Sequence, residues 1–282
     1  NNIYKYNLQI AISMNLKYRK YFKSIKSLFL FKVLLPLIKK HGRNRLPLSK
    51  VLNTIAIYYQ YSYDNSVDTD PNYDGEYWLL RTLTRQYKFN IIDIGGHHGE
   101  YSKEFLKNSP ESSSLIIEPV EIFNSFLQKN LEFFLKKERV KIKNIAASNK
   151  INDFNEFYFN KKGSGTGSSF YSSIEKGFRE KIIVKTSTID KIIIEEKINK
   201  EKIGLIKIDA EGHEREILEG AKNILKTVGI VQLEYSYYNS VNDWPISKIY
   251  KQFKNRFFVG VLLPKSIEII SEEKLKENFI CH

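Results

Sequence analysis

The chain has 282 residues, of which 42% are hydrophobic, and this is enough for one sizeable core with appendages. Its single cysteine, Cys281, excludes an internal disulfide framework and favours a reducing compartment, so we expect a cytoplasmic protein. No apolar run approaches the ~20 residues needed to cross a bilayer, and nothing resembles a cleaved signal peptide. These patterns argue against a membrane-spanning or disulfide-stabilised protein.

The net charge of +13 is concentrated at the N-terminus, where residues 1–63 contain 12 Lys or Arg and no Asp or Glu. Residues 1–62 are predicted to form a basic helical extension, and Met14, the only methionine, is an alternative start. Such asymmetry favours binding to a polyanion, to an acidic partner or to the inner face of an anionic membrane. The alternatives are lysines that merely solvate a packed helical layer and a contact within a homodimer. The pattern leaves these alternatives open.

Residues 63–88 are predicted to form an acidic loop followed by a lead-in helix at 76–87. The aspartates of the loop superficially suggest a calcium site. However, the Gly and Glu that an EF-hand loop requires are not at the required positions. We therefore interpret the segment as a solvated loop beside the site described below, without a metal.

Residues 89–282 are predicted to form the catalytic domain, because short apolar strands alternate with helical segments. The predicted parallel strands are 89–94, 114–118, 140–146, 203–209 and 229–235. The tail segments 257–263 and 267–270 are predicted to complete the sheet with an antiparallel pair. This order is typical of an α/β fold with a doubly wound, mostly parallel sheet of seven strands, which binds its ligand at the carboxyl ends of the strands.

The sequence IIDIGGHHGEYS at 91–102 predicts a cofactor turn between a buried strand and a helix. Glycines let backbone N–H groups and the helix N-terminus approach a ligand closely. The G-x-G-x-x-G spacing of a dinucleotide site is missing, and Asp93 would repel a pyrophosphate but suits the cationic amino-acid end of a cofactor. Glu118, which ends the next strand, can accept the two hydroxyls of a ribose. A ribose joined to an amino-acid tail indicates S-adenosylmethionine.

A longer series of motifs resembles the FkbM-type methyltransferases, a family of Rossmann-like enzymes that use S-adenosylmethionine. The matching segments, in the order of the family, are IIDIGGHHGEYS (91–102), LIIEPV (115–120), KNIAASN (143–149), GTGSSF (165–170), VKTSTIDKI (184–192), GLIKIDAEGHEREILEGA (204–221) and IVQLEY (230–235). The chain departs from the family at Gly96, His97 and His98, where members usually carry small or amide residues. The resemblance implies a Rossmann-like methyltransferase sheet and an S-adenosylmethionine cofactor.

Two sets of site residues follow from the strand ends and from the resemblance. The resemblance implies that Lys207, Asp209, Glu211 and Gly212 line the active site. Asp209 or Glu211 is the predicted general base, and Glu234 ends the next strand. The predicted cofactor-binding residues are Asp93, Gly95, Gly96, His97, Gly99, Tyr101, Glu118, Pro119, Ala146 and Asp209.

The substrate side of the site is predicted from a flexible loop and a histidine. The loop GSGTGSS at 163–169 lacks the lysine of a phosphate-binding loop, so we assign Ser168 and Ser169 to hydrogen bonds with the acceptor or the cofactor. His213 is placed beside the acceptor. The histidines have no metal-ligand spacing, and we expect no metal.

The leading functional hypothesis is an S-adenosylmethionine-dependent O-methyltransferase that acts on a hydroxyl of a sugar, a glycan or another small molecule. One alternative is an RNA methyltransferase whose basic N-terminal segment contacts phosphates, although no known RNA-binding module is evident. Another is a non-catalytic binding or membrane-surface protein on a degenerate methyltransferase fold. A nucleotide-dependent oxidoreductase is disfavoured by the missing dinucleotide motif.

Overall fold

The structure is a computed structural model that describes residues 71–159, 170, 180–235, 239 and 242–273. The basic extension at 1–62, most of the acidic loop, and Ser168 and Ser169 lie outside the described residues. The chain divides into two compact units, Asn1–Thr69 and Asp70–His282, and all described residues belong to the second.

The described residues form ten strands and seven α-helices. The strands are β1 (Asn90–Ile94), β2 (Ser114–Ile117), β3 (Val140–Lys143), β4 (Ala146–Ala147), β5 (Phe154–Phe159), β6 (Glu180–Ser187), β7 (Ile203–Ile208), β8 (Ile230–Leu233), β9 (Gly260–Leu263) and β10 (Ser266–Ile269). The helices are α1 (Glu76–Gln86), α2 (Glu100–Asn108), α3 (Glu121–Asn130), α4 (Glu132–Leu135), α5 (Ile189–Glu195), α6 (Glu214–Glu219) and α7 (Ile246–Phe253). None of the helices in this part of the chain is long and apolar enough to cross a membrane.

The central sheet has five parallel strands in the order β3-β2-β1-β7-β8. Both of its faces are covered, because β-branched side chains alternate between two cores. Ile92 and Ile206 pack in one core with α5 and α6, whereas Ile91 and Leu205 pack in the other with α1 and α2. The predicted doubly wound, mostly parallel α/β fold is therefore confirmed.

The number of strands in the central sheet differs from the prediction, and seven strands are not confirmed. In the described residues β9 and β10 pair antiparallel with each other in a separate two-stranded sheet. All four residues of β10 are exposed, and Phe258, which precedes β9, is 92% exposed. The predicted antiparallel pairing of the tail segments is confirmed, but the pair lies outside the central sheet, because the side chains of β10 are exposed rather than buried against it.

The predicted strand 140–146 is also interrupted. Asn144 leaves the strand conformation, and its side-chain amide donates to the carbonyls of Glu118 and Pro119 at 3.1 and 3.0 Å. After this break, β4 pairs with β6, which also pairs with β5. A second, three-stranded sheet thus begins beside the carboxyl ends of the central strands.

The strand register places polar residues side by side on the central sheet. Asp93 of β1 lies opposite Lys207 of β7, and Lys207 lies opposite Gln232 of β8. All three project from the same face, because residues paired across adjacent strands share a face. A polar row in a buried sheet is costly unless its members are paired or serve a site.

Candidate active site

Two glycines shape the turn that follows β1. Gly95 has φ +79°, and a Cβ at this position would lie 1.9 Å from the carbonyl oxygen of Asp209. Gly99 has φ +80°, and a Cβ there would lie 2.8 Å from side-chain atoms of Leu127 and Leu131. Only glycine fits both the backbone conformation and the space at these positions. The cofactor turn therefore packs directly against the backbone of Asp209 at Gly95.

Asp93 is buried at the base of this turn, with 1% of its surface exposed. Its Oδ2 accepts a hydrogen bond from the Ser102 hydroxyl at 2.6 Å, and Ser102 also lies 2.8 Å from the Ser114 hydroxyl. Burial raises the pKa of Asp93, although Lys207 and Ser102 oppose the rise. Its Oδ1 is buried without a hydrogen-bond partner in the described residues. A buried acceptor left unpaired is costly, so this oxygen is suited to a ligand that donates.

Glu118 follows β2 and holds the neighbouring backbone. Its two carboxylate oxygens accept the N–H groups of His97 at 3.1 Å and Val120 at 2.9 Å. Burial raises the pKa of Glu118 to about 7, although these backbone hydrogen bonds favour the ionised form. A carboxylate oxygen accepts more than one hydrogen bond, so both oxygens keep capacity for the hydroxyls of a ribose.

His97 lies in the turn with its backbone in the left-handed region, at φ +46°. Its ring centroid lies 3.9 Å from that of His98 and 4.4 Å from that of Phe123. Burial and the neighbouring His98 lower the pKa of His97 to about 4, so the imidazole is neutral at pH 7. Its Nε2 is buried without a partner among the described residues. Such strain in a non-glycine residue is uncommon and clusters at functional sites.

Lys207, Asp209 and Glu234 meet at the carboxyl ends of β7 and β8. The Lys207 ammonium donates to Asp209 Oδ2 at 3.1 Å, and the Glu234 carboxyl hydrogen-bonds with Asp209. Burial raises the pKa of Asp209, but Lys207 and the hydrogen bond from Glu234 outweigh it and lower that pKa overall. Burial and the Asp209 charge raise the pKa of Glu234. Glu234 is exposed along one side, so solvent limits the size of this rise but not its direction.

Lys207 has further partners that the sequence alone did not indicate. Its ammonium lies 3.7 Å from Glu76 Oε1 and 5.1 Å from the centre of the Tyr101 ring. Gln232 Nε2 donates to Glu76 Oε1 at 2.5 Å, and the Tyr101 hydroxyl donates to Gln232 Oε1 at 2.8 Å. Tyr101, predicted to bind the cofactor, thus lies beside Lys207. In the sequence, Gln232 could have been noticed as the one polar residue within the apolar strand β8.

The loop after β7 is fixed by Glu214, which is fully buried. Glu214 Oε1 accepts the N–H groups of Ala210 at 3.0 Å and Gly212 at 3.2 Å. Its Oε2 accepts the Asn239 amide at 2.5 Å. Glu211, between these two N–H groups, has φ +48°. Through these hydrogen bonds Glu214 fixes the loop and holds Glu211 in a strained backbone conformation.

The remaining predicted residues line the edge near the second sheet. The His213 ring lies 4.1 Å from that of Phe170, and its Nε2 lies 3.0 Å from the Ser148 hydroxyl. Burial lowers the pKa of His213 to about 4, so it is neutral at pH 7. Ala146 is buried at the start of β4, and Pro119 accepts from Asn144. No group of His, Cys, Asp and Glu residues in the described ranges could hold a metal ion.

The side chains around the cofactor turn fit S-adenosylmethionine. Asp93 Oδ1 and His97 Nε2 are buried polar atoms that have no hydrogen-bond partner among the residues that the structure describes, and Glu118 offers oxygens at the adjacent strand end. At Gly95 and Gly96 a Cβ would clash with Asp209 and Ile116, so the turn packs closely on the ends of the central strands. The sequence analysis predicted Asp93, Glu118 and Asp209 as site residues. The fold brings all three to the carboxyl edge of the central sheet.

Comparison with known proteins gives one family and several similar structures. None of the curated proteins compared with the chain matches it. The chain is similar to an O-methyltransferase from Bacillus cereus in complex with SAH, at 13% identity over 84% of this chain and 97% of that chain, with a TM-score of 0.42. It is also similar to a precorrin-6y C5,15-methyltransferase from Geobacter metallireducens, at 13% identity over 65% and 68% of the two chains, with a TM-score of 0.36.

The family match covers most of the features described above. A model of the methyltransferase FkbM domain matches residues 93–258. This range exceeds half of the chain. It includes the cofactor turn, the loop after β7, and the acidic residues Glu118, Asp209 and Glu234 that follow β2, β7 and β8. The chain belongs to the FkbM methyltransferase family.

Proposed function

We propose that the protein transfers the methyl group of S-adenosylmethionine to a hydroxyl of a sugar or glycan. Membership in the family implies the cofactor and the class of reaction. The observation that supports a hydroxyl acceptor is the carboxyl pair Asp209–Glu234, which lies directly beside the cofactor turn through the contact between Gly95 and Asp209.

Asp93, His97 and Glu118 are the residues that would hold the cofactor. Asp93 would accept from the amino group of its amino-acid end, and Glu118 from the ribose hydroxyls. His97 is neutral at pH 7 and so adds no repulsion toward a positively charged sulfonium. When bound, S-adenosylmethionine supplies an activated methyl group, so the chain's own contribution is mainly positioning and proton removal.

A hydroxyl acceptor needs a base, because a neutral alcohol is a weak nucleophile. The Asp209–Glu234 pair carries one proton at neutral pH, since the pKa of Asp209 is lowered and that of Glu234 is raised. Asp209 is then the ionised member that accepts the hydroxyl proton. The pair becomes a stronger base when Glu234 also ionises, because two neighbouring carboxylates repel each other and bind a proton more tightly.

The acceptor class is tested by methyl transfer from labelled S-adenosylmethionine to a panel of glycosides, oligosaccharides and RNA. We expect transfer to a sugar hydroxyl, and Asp209→Asn should lower kcat on that acceptor by roughly 10²–10⁴-fold, the usual contribution of a general base. Transfer to RNA alone would replace this proposal with the RNA methyltransferase hypothesis. Cofactor binding without turnover on any acceptor would favour a non-catalytic protein.

A further inference from the structure

Glu76 is a carboxylate next to the proposed catalytic group, although it lies outside the matched family range of 93–258. It is the first residue of α1, and only 19% of its side chain is exposed. Its Oε1 accepts the Gln232 amide at 2.5 Å and lies 3.7 Å from the Lys207 ammonium. The position of Glu76 is therefore defined by two contacts to the central sheet.

The Lys207 ammonium is shared between two structural elements. Asp209, at the end of β7, lies 3.1 Å from it, and Glu76 approaches from α1. The Tyr101 ring covers the ammonium at 5.1 Å and is itself held by its hydrogen bond to Gln232. A compact ammonium on a flexible four-carbon stem needs such partners to keep one position. Glu76 supplies one such partner from α1, and Gln232 holds both Glu76 and Tyr101 in place beside the ammonium.

We propose that Glu76 is a positioning residue that holds Lys207 between α1 and the edge of the sheet and so limits how strongly Lys207 stabilises the ionised Asp209–Glu234 pair. The inference rests on the proposed function only in assigning that pair as the base. Glu76 is not assigned any contact with the cofactor or the acceptor.

The charges around Lys207 give the direction of the effect. Lys207 faces Asp209, Glu76, Asp93 and Glu234, and Glu76 in turn faces Asp74, Asp209 and Asp93 as well as Lys207. Without the Glu76 charge, Lys207 acts more fully on the remaining carboxylates. Glu234 should then ionise at lower pH, and the pair should become a weaker base.

The protonation of Glu76 itself sets where this effect is largest. Burial raises the pKa of Glu76 to about 7, although Lys207 opposes the rise. Glu76 is therefore mostly protonated below pH 6 and mostly ionised above pH 8. The difference between the wild type and a Glu76→Gln variant should be small at the lower pH and large at the higher one.

The test compares Glu76→Gln with Glu104→Gln in the full chain. Glu104 is a matched control, because it joins α1 to α2 through Arg81 at 2.8 Å without contacting Lys207. We would follow the carboxyl carbons of Asp209 and Glu234 by ¹³C NMR between pH 5 and 10, and measure kcat and the affinity for S-adenosylhomocysteine. The NMR titration needs no acceptor, so it tests the role of Glu76 even if the proposed sugar acceptor is incorrect.

In Glu76→Gln we expect the titration of Glu234 to move to lower pH, so that the alkaline rise in kcat begins at a lower pH than in the wild type. The affinity for S-adenosylhomocysteine should stay within about twofold of the wild type. Glu104→Gln should leave both the titration and kcat unchanged. If Glu76→Gln does not fold, Gln232→Met removes the amide that anchors Glu76 and should shift the titration in the same direction.

Two results would overturn the inference. One is an unchanged Glu234 titration in Glu76→Gln, and the other is an equal shift in Glu104→Gln, which would indicate a general loosening of α1. A shifted titration together with no turnover on any sugar supports the role of Glu76 and refutes only the proposed acceptor.

Discussion

Protonation of Glu118 should control how tightly the cofactor binds. Its pKa of about 7 means that it is a carboxylate only above neutral pH. Below pH 7 one oxygen carries a proton and loses acceptor capacity, while the His97 and Val120 N–H groups still need both oxygens. We expect the affinity for S-adenosylhomocysteine to fall toward tenfold per pH unit between about pH 7 and pH 5.5. Calorimetric titration across this range measures it.

The stability of the cofactor-free protein should change in the opposite direction. The folded pKa of Glu118 lies above its unfolded value, so the folded state binds more protons between about pH 4.5 and pH 7. The contribution of Glu118 to stability is therefore complete at low pH and is lost as the pH rises toward 7. Glu118→Gln should weaken binding and reduce both pH dependences. Unchanged pH profiles in this variant would refute the assignment.

Glu234 should determine how the rate depends on pH at alkaline values. Burial and the Asp209 charge raise its pKa, so the fully ionised pair forms only as the pH rises above neutral. We expect the rate of methyl transfer in the wild type to increase through that range. Glu234→Gln keeps a hydrogen-bond donor toward Asp209 but cannot ionise, so its rate should be lower and flat. Single-turnover measurements from pH 6 to pH 10 test this, and a retained alkaline rise would contradict it.

Some of these residues could be predicted from the sequence because their positions follow from the chain order. Glu118 and Asp209 follow apolar strands, Asp93 is the penultimate residue of β1, and parallel strands bring their carboxyl ends to one edge. Glu76 could not be predicted, because its contact with Lys207 depends on how α1 packs on the sheet. Gln232 depends on the register between β7 and β8, which one sequence does not reveal.

At the scale of elements, the loop between β7 and α6 depends on one buried carboxylate. Glu214→Ala removes the acceptor of the Ala210 and Gly212 N–H groups and of the Asn239 amide. Leaving buried donors unpaired costs roughly 1–3 kcal/mol each, so the free energy of unfolding should fall by at least about 2 kcal/mol. The activity should fall as well, because Glu211 is no longer held at φ +48°. Urea unfolding and kcat measure the two effects.

The control for this prediction is Arg215→Ala on the same helix. Arg215 forms an ion pair with Glu219 and is about half exposed. Exposed pairs of this kind contribute about 0–1 kcal/mol, so the variant should unfold close to the wild type. An equal loss in both variants would mean that α6 as a whole, rather than the Glu214 carboxylate, supports the loop.

Element types were easier to predict than element boundaries. The β-branched runs of β1, β2 and β7 identify buried parallel strands, because each is apolar on both faces. The break at Asn144 depends on two carbonyls that are distant in sequence, and no local pattern signals it. α6 ends at Glu219, and the next residue, Gly220, packs so closely on the end of β4 that a Cβ would lie 2.1 Å from the Ser148 carbonyl oxygen, a contact that no local pattern signals.

At the scale of the whole molecule, the distribution of charge separates the first 63 residues from the rest. All 32 acidic residues follow this segment, which leaves the remainder nearly neutral. A segment rich in lysine favours anionic surfaces, and each lysine near an anionic membrane contributes about 1 kcal/mol. We therefore expect the full chain to bind vesicles that contain anionic lipid, and to dissociate as the salt concentration rises.

A charge-matched pair of variants tests whether the segment itself is responsible. One variant replaces Lys17, Lys20, Lys23 and Lys26 with Gln, and the other replaces the exposed Lys107, Lys129, Lys185 and Lys222. Both variants lose the same net charge, so a bulk effect would weaken them equally. We expect the first to bind anionic vesicles at least about tenfold more weakly and the second to bind like the wild type. Equal binding by both variants in a sedimentation assay would show that net charge alone, rather than a basic segment, directs this enzyme to an anionic surface.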